Sequence, residues 1–246
     1  MIVRDIMTTK LTTVAPDDTL SHATNLLRQH QVHQLPVVRT VSVAAPEHKE
    51  YQSHETIRIF EGVLTSQDVD LVVALARQDT SNDAPHRPWQ ERRVVEVMHR
   101  AIIRVTPITS VAAAAQILVD RGLNYLPVVE YQQVKQETQP LLVGLLTRSD
   151  FLLALARSMG AFEPGMQLDI TLPLGVTAPL AETLRIATEL HVQVRSIIAA
   201  PLTSTVPLTA NLRIGTINPT ALLVRLQEAG IEYSLVTPPV DGEPHG

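Results

Sequence analysis

Two segments of this 246-residue chain combine residue types suited to an anionic, hydroxyl-bearing ligand: Gly62-Val63-Leu64-Thr65-Ser66-Gln67-Asp68 and Gly144-Leu145-Leu146-Thr147-Arg148-Ser149-Asp150. Both read G-h-h-T-x-x-D, with h apolar, and both pass from a short apolar strand into an apolar helical pattern. Such a turn aims backbone N–H groups and the positive end of a helix at one spot, which suits phosphate. Thr65 and Thr147 add hydroxyl donors there. Asp68 and Asp150, three residues on, offer the carboxylate that elsewhere holds a ribose diol. The same T-x-x-D spacing also caps a helix. What favours a ligand is its recurrence in both halves, after the same glycine and the same LPVV strand. The copies differ in that Arg148 can meet a phosphate where the first has neutral Ser66 and Gln67, so the second motif is expected to make the tighter phosphate contacts.

The elements that position these motifs repeat as well. At an offset of 91, Met7 falls on Met98, Val14 on Val105, Pro16 on Pro107, Leu27 on Leu118, and Leu35-Pro36-Val37-Val38 on Leu126-Pro127-Val128-Val129. The offset then drops to 82 for Gly62, Leu64, Thr65 and Asp68. The difference of nine residues implies a longer polar loop, Pro46 to Thr56, in the first half. Each half predicts a short strand ending at Val14 or Val105. A helix capped by Asp17 and Asp18, or by Thr109 and Ser110, follows it. The apolar stripes are Leu20, Ala23, Leu27 and Val111, Ala114, Ala115, Leu118. Gly122 stops the second helix where the first half has Gln31. Two short strands and a final helix complete a β-α-β-β-α module, present twice.

Composition narrows the chemistry. The chain has no cysteine, which excludes disulfides, zinc-thiolate and iron-sulfur sites and thiol nucleophiles. Its 20 basic and 25 acidic residues are scattered, so nucleic acid is not an expected partner. No apolar run of membrane-spanning length and no signal peptide is read, and a cytoplasmic protein without membrane association is expected. His22, His30 and His33 lack a cysteine or carboxylate at ligand spacing, and Trp89 is expected to pack on the first half. Neither a metal site nor a catalytic constellation such as G-x-S-x-G is read, and no enzyme activity is expected.

The proline-bearing apolar strand followed by G-h-x-T/S-x-x-D resembles the CBS-domain family over about residues 1 to 157. That resemblance implies two repeats paired as a pseudo-two-fold disc, a Bateman module, with AMP, ADP, ATP or a related adenosine derivative in clefts between them. It implies phosphate contacts from Thr65 and Thr147, ribose contacts from Asp68 and Asp150, and a base near Leu11, Thr12 and Gln34 or near Ile102, Ile103 and Tyr125. The nucleotide would be a regulatory ligand, with no other cofactor.

Beyond the glycine- and proline-containing SMGAFEPGM the pattern changes. LDITLPL, VQVRSIIAA, LTANLRIGT and IEYSLVT read as strands, and Pro179 to Leu190 and Pro219 to Ala229 as helices. The first of these carries Leu180, Leu184 and Ala187 on one face. The order β-α-β-β-α-β is that of a ferredoxin-like sandwich. Residues 168 to 237 resemble the ACT domain, although the turn Gly175-Val176-Thr177-Ala178-Pro179-Leu180 lacks the Pro-Gly pair of its amino-acid-binding members. A CBS pair followed by such a domain is similar to the acetoin-utilisation protein B group.

The expected organisation is α/β plus α+β: repeat 1 over 1–80, a linker at 81–93, repeat 2 over 94–158, a linker at 159–167, the ACT-like domain over 168–237 and a polar, disordered tail at 238–246. A homodimer signalling to an unidentified protein target is expected. The alternative is an amino-acid sensor acting through the ACT-like half, with the CBS pair as scaffold.

Overall fold

In the computed structural model, residues 1–44, 54–78, 88–100, 102–134, 136–201, 206, 208–216 and 218–236 are described. Most of the expected Pro46 to Thr56 loop, most of the 81–93 linker and the 238–246 tail lie outside them. The chain divides into two compact units, Met1–Phe151 and Leu152–Gly246.

The first unit runs α1 (Leu20–Gln29), β1 (Gln34–Ala44), β2 (His54–Thr65), α2 (Ser66–Gln78), α3 (Val111–Asp120), β3 (Tyr125–Val134) and β4 (Glu137–Thr147) into α4 (Arg148–Ser158), which carries on into the second. Leu20, Ala23 and Leu27 form the buried stripe of α1, as Ala114 and Leu118 do in α3. The cap of α1 is Thr19, not Asp17 or Asp18; its hydroxyl accepts the His22 N–H at 3.2 Å. Asp18 acts one turn earlier, accepting the Ala15 N–H at 2.8 Å. The second half repeats this arrangement, with Ser110 accepting the Ala113 N–H and Thr109 the Thr106 N–H, both at 3.1 Å. After α3, Gly122 turns the chain at φ 61°; after α1, Gln31 takes the same left-handed conformation at φ 51°.

The strands form one antiparallel sheet in the order β1-β2-β4-β3. Leu35 pairs with Leu64 and Leu126 with Leu146, so each LPVV run lies against its motif strand. The strands extend well beyond the four-residue apolar runs read from sequence. His54 to Thr56, expected in a loop, belong to β2 and pair with β1. A hairpin partner satisfies the backbone whatever the side chains are, so pairing outlasts the apolar pattern. The expected first strand, by contrast, contracts to single parallel bridges, Val14 to Val37 and Val105 to Val128.

The two halves exchange their leading segments. The Val3 and Arg4 N–H groups donate to Thr109 and Pro107 carbonyls at 2.9 and 3.0 Å, and Val94 and Val95 donate to Asp18 and Pro16, both at 2.9 Å. Val3 is buried with Val105, Leu118 and Leu126, whereas Val94 and Met98 are buried with Leu20, Leu27 and Leu35. Each core is thus closed by a segment from the other half. Trp89 packs against the core of Leu20, Leu27 and Leu35.

The second unit runs β5 (Met166–Thr171), α5 (Ala178–Glu189), β6 (Val194–Ile198), β7 (Thr209–Ile214), α6 (Thr220–Glu228) and β8 (Tyr233–Val236). This is the expected β-α-β-β-α-β order, with antiparallel neighbours in the sheet order β6-β7-β5-β8. Leu168, Ile170, Ala210, Leu212 and Ile214 face Ile186, Ala187, Leu222 and Leu226, so both helices cover one sheet face. LDITLPL does not remain extended to its end: Pro173–Gly175 form a 3-10 turn in which Leu174 is left-handed at φ 54°.

Candidate functional site

Each G-h-h-T-x-x-D motif folds as a closed box at the start of a helix. The Thr65 N–H and hydroxyl donate to Asp68 Oδ2 at 2.8 and 2.7 Å, and Thr65 Oγ1 accepts the Asp68 N–H at 3.2 Å. Thr147 and Asp150 repeat the geometry at 2.7, 2.7 and 3.3 Å. The capping role of T-x-x-D is therefore present in both copies. The expectation of a turn full of free donors is corrected accordingly. The Ser66 N–H donates to the His33 carbonyl at 2.9 Å and the Arg148 N–H to the Asn124 carbonyl at 3.2 Å.

The second oxygen of each aspartate reaches across to the exchanged segment. Asp68 Oδ1 lies 2.7 Å from His99 Nε2, and Asp150 Oδ1 accepts the Thr8 hydroxyl at 3.1 Å. Main-chain pairing holds both partners in place: Val63 and His99 exchange N–H donations at 3.0 and 2.9 Å, and Thr8 and Leu145 do so at 2.9 Å. Thr8 and His99 occupy equivalent positions at the offset of 91. Neither was singled out from sequence. The signal was available, since both directly follow the repeated methionines Met7 and Met98.

Thr65, Ser66, Gln67, Thr147, Arg148 and Ser149 line one cleft of about 470 Å³, together with His33, Gln34 and Tyr125. Both helix starts open onto it. Arg148 lies at its surface with Nε donating to the Leu123 carbonyl at 2.9 Å. It faces a space lined by both motifs, so its charge is not private to the second. Beside the motifs, Val38, Phe60, Val63, Val129 and Leu142 make a buried apolar floor, and Leu11, Ile102 and Tyr125 pack onto it. Burial raises the Tyr125 phenol above the ordinary tyrosine range, and the charge of Asp68 adds to the shift. Of the residues read from sequence, the structure thus gathers Gln34, Tyr125, Thr65, Thr147 and Arg148 at the cleft and Leu11 and Ile102 at the floor. Asp68 and Asp150 are held against their threonines. Thr12 is half-buried and Ile103 exposed, and neither lines that cleft. Among the described residues, no group of three or more His, Asp or Glu could hold a metal ion, and no helix is long and apolar enough to cross a membrane.

Residues 3–42 and 94–157 match the CBS domain family. The second match contains Gly144 to Asp150; the first stops short of Gly62. The CBS domain-containing protein YhcV of Bacillus subtilis (strain 168) is 26% identical over 148 residues, which cover 60% of this chain and 81% of that protein. Among solved structures, CBSX2 in complex with AMP aligns with a TM-score of 0.43 and 22% identity, over 63% of this chain and 96% of that one. A Vibrio cholerae structure named for acetoin utilization (AcuB) aligns with a TM-score of 0.44 and 24% identity, over 67% of this chain and 98% of that one.

Proposed function

We propose, from the tandem CBS domains at residues 3–42 and 94–157, that this chain is a regulatory protein whose CBS pair binds an adenine nucleotide of the AMP, ADP or ATP class. The observation that carries the reading is the convergence of both T-x-x-D motifs on one cleft beside an apolar floor. At about 470 Å³ its volume lies within the range of small-molecule sites. In this reading Thr65, Thr147 and Arg148, with the Gln67 and Ser149 N–H groups at the helix starts, meet phosphate. Asp68 and Asp150 meet ribose hydroxyls: a carboxylate has about four acceptor positions, so Oδ1 can take a further donor beside His99 or Thr8. Leu11, Ile102 and Tyr125, with Thr12, Gln34 and Ile103, border the base.

The exchanged segments supply the switch. A ligand touching Asp68 or Asp150 touches a residue tied to the other half, so it favours one arrangement of the halves over another, and a ligand shifts only an equilibrium that it distinguishes. The ACT-like second unit dimerises or passes that state to a protein target. Thermal unfolding of the full chain with AMP, ADP, ATP and single amino acids tests the reading. A rise in midpoint with an adenine nucleotide is expected, since ligand at about 100 Kd adds about 2.7 kcal/mol of stability. No rise with any of the three nucleotides overturns it.

A further inference from the structure

The Asp68 and Asp150 sides have the same backbone geometry and different chemistry. Beside Asp68 the exchanged segment reads His99-Arg100-Ala101-Ile102-Ile103-Arg104; beside Asp150 the equivalent residues are Thr8-Thr9-Lys10-Leu11-Thr12-Thr13. His99 touches Asp68 at 2.7 Å with its side chain 61% exposed, so the ring bridges the half-buried carboxylate and solvent. The Arg104 guanidinium lies 5.8 Å from the centre of the Phe60 ring, itself part of the floor that Ile102 and Tyr125 border. On the other side Leu142 and Thr13 stand at the matching positions, and Thr8 gives its hydroxyl to Asp150. Lys10 is the one cation of its segment, against Arg100 and Arg104 in the other; Arg148 opens onto the cleft that both motifs share and so favours neither side.

We infer that His99 is a specificity residue that directs a phosphorylated adenosine to the Asp68 side, and that the Thr8 side lacks this preference. The inference rests on the adenine-nucleotide reading above and adds to it which side takes the anion. An imidazole set between the Asp68 carboxylate and a bound phosphate can donate from one ring nitrogen to each, whereas the Thr8 hydroxyl already donates to Asp150. It reverses the expectation, drawn from Arg148 alone, that the second motif makes the tighter phosphate contacts.

Calorimetry on the full chain tests it, with AMP and adenosine as probes at fixed ionic strength. In a D150A background, which leaves the Asp68 side intact, AMP is expected to bind at least about tenfold more tightly than adenosine, the size of a charged hydrogen bond. Adding His99→Thr should bring that ratio close to one while adenosine affinity holds. In a D68A background, Thr8→His should create a preference for AMP where none existed. Equal AMP and adenosine affinities in D150A, or a parallel loss of both on His99→Thr, overturn the assignment while leaving nucleotide binding intact. Failure of the wild type to bind either probe overturns both this inference and the reading beneath it.

Discussion

The α-carbon of Gly62 lies so close to the carbonyl of His99 that a β-carbon there would sit 2.4 Å from its oxygen. That oxygen is fixed, because it accepts the Val63 N–H at 3.0 Å in the ladder that joins the exchanged segment to β2. Glycine is required here by close approach of backbone, not by a special φ. At the equivalent Gly144 the nearest atom is Met7 Sδ at 2.5 Å, the far end of a flexible side chain, with the Thr8 carbonyl oxygen at 3.3 Å. Gly62→Ala is therefore expected to cost about 2–3 kcal/mol and Gly144→Ala about 1 kcal/mol or less. Urea unfolding of the two variants checks this, and equal losses would contradict it.

Thr65 serves the helix before it serves any ligand. Thr65→Val keeps the shape of the side chain and removes both the hydroxyl donor to Asp68 and the acceptor of its N–H. The ligand-free protein should lose about 1 kcal/mol, the usual worth of an N-cap. Midpoints measured without and with AMP separate the two roles, since the nucleotide-induced rise should shrink as well. An unchanged rise would limit Thr65 to capping.

Much of this was legible because local rules governed it. The stripes of α1 and α3, the β-α-β-β-α-β order of the second unit and the left-handed stop at Gly122 each follow from a few adjacent residues. The misplaced cap has an equally local cause. Asp17, Asp18 and Thr19 are all good caps, and only the turn in which Asp18 accepts the Ala15 N–H leaves Thr19 for the helix. The contacts of Thr8 with Asp150 and of His99 with Asp68 depend on the exchange of segments, a tertiary event with no periodic trace. The motif's glycine was visible and its reason was not, since the atom that forbids a side chain belongs to the other half.

Leu174 offers a test in the second unit. It is 90% exposed and left-handed at φ 54°, immediately before Gly175 at φ 76°. A leucine is strained in that conformation and gains no burial of its side chain in return. Leu174→Gly is expected to raise stability by roughly 0.5–1 kcal/mol, the relief of strain exceeding the added entropy of the unfolded chain. Denaturant unfolding reads the difference, and a loss of stability would show that the turn does not need this conformation.

Tyr125 predicts an alkaline limit. Burial first, and the Asp68 carboxylate second, raise its phenol above the ordinary value of 10.0. The folded chain therefore holds the phenolic proton more tightly than the unfolded chain. Between the two values the unfolded state binds fewer protons, so stability falls as pH rises through that window. Below it, the contribution is fully present. Tyr125→Phe removes the titrating group while keeping the ring on the floor beside Leu11 and Ile102. The thermal midpoint of the wild type should drop more steeply than that of the variant above about pH 10, and the two profiles should run parallel near neutrality. Asp68→Asn should remove the smaller, electrostatic part of the difference, because the amide has no charge to oppose a tyrosinate. Parallel profiles at alkaline pH would show that Tyr125 ionises as freely in the folded chain as in the unfolded one.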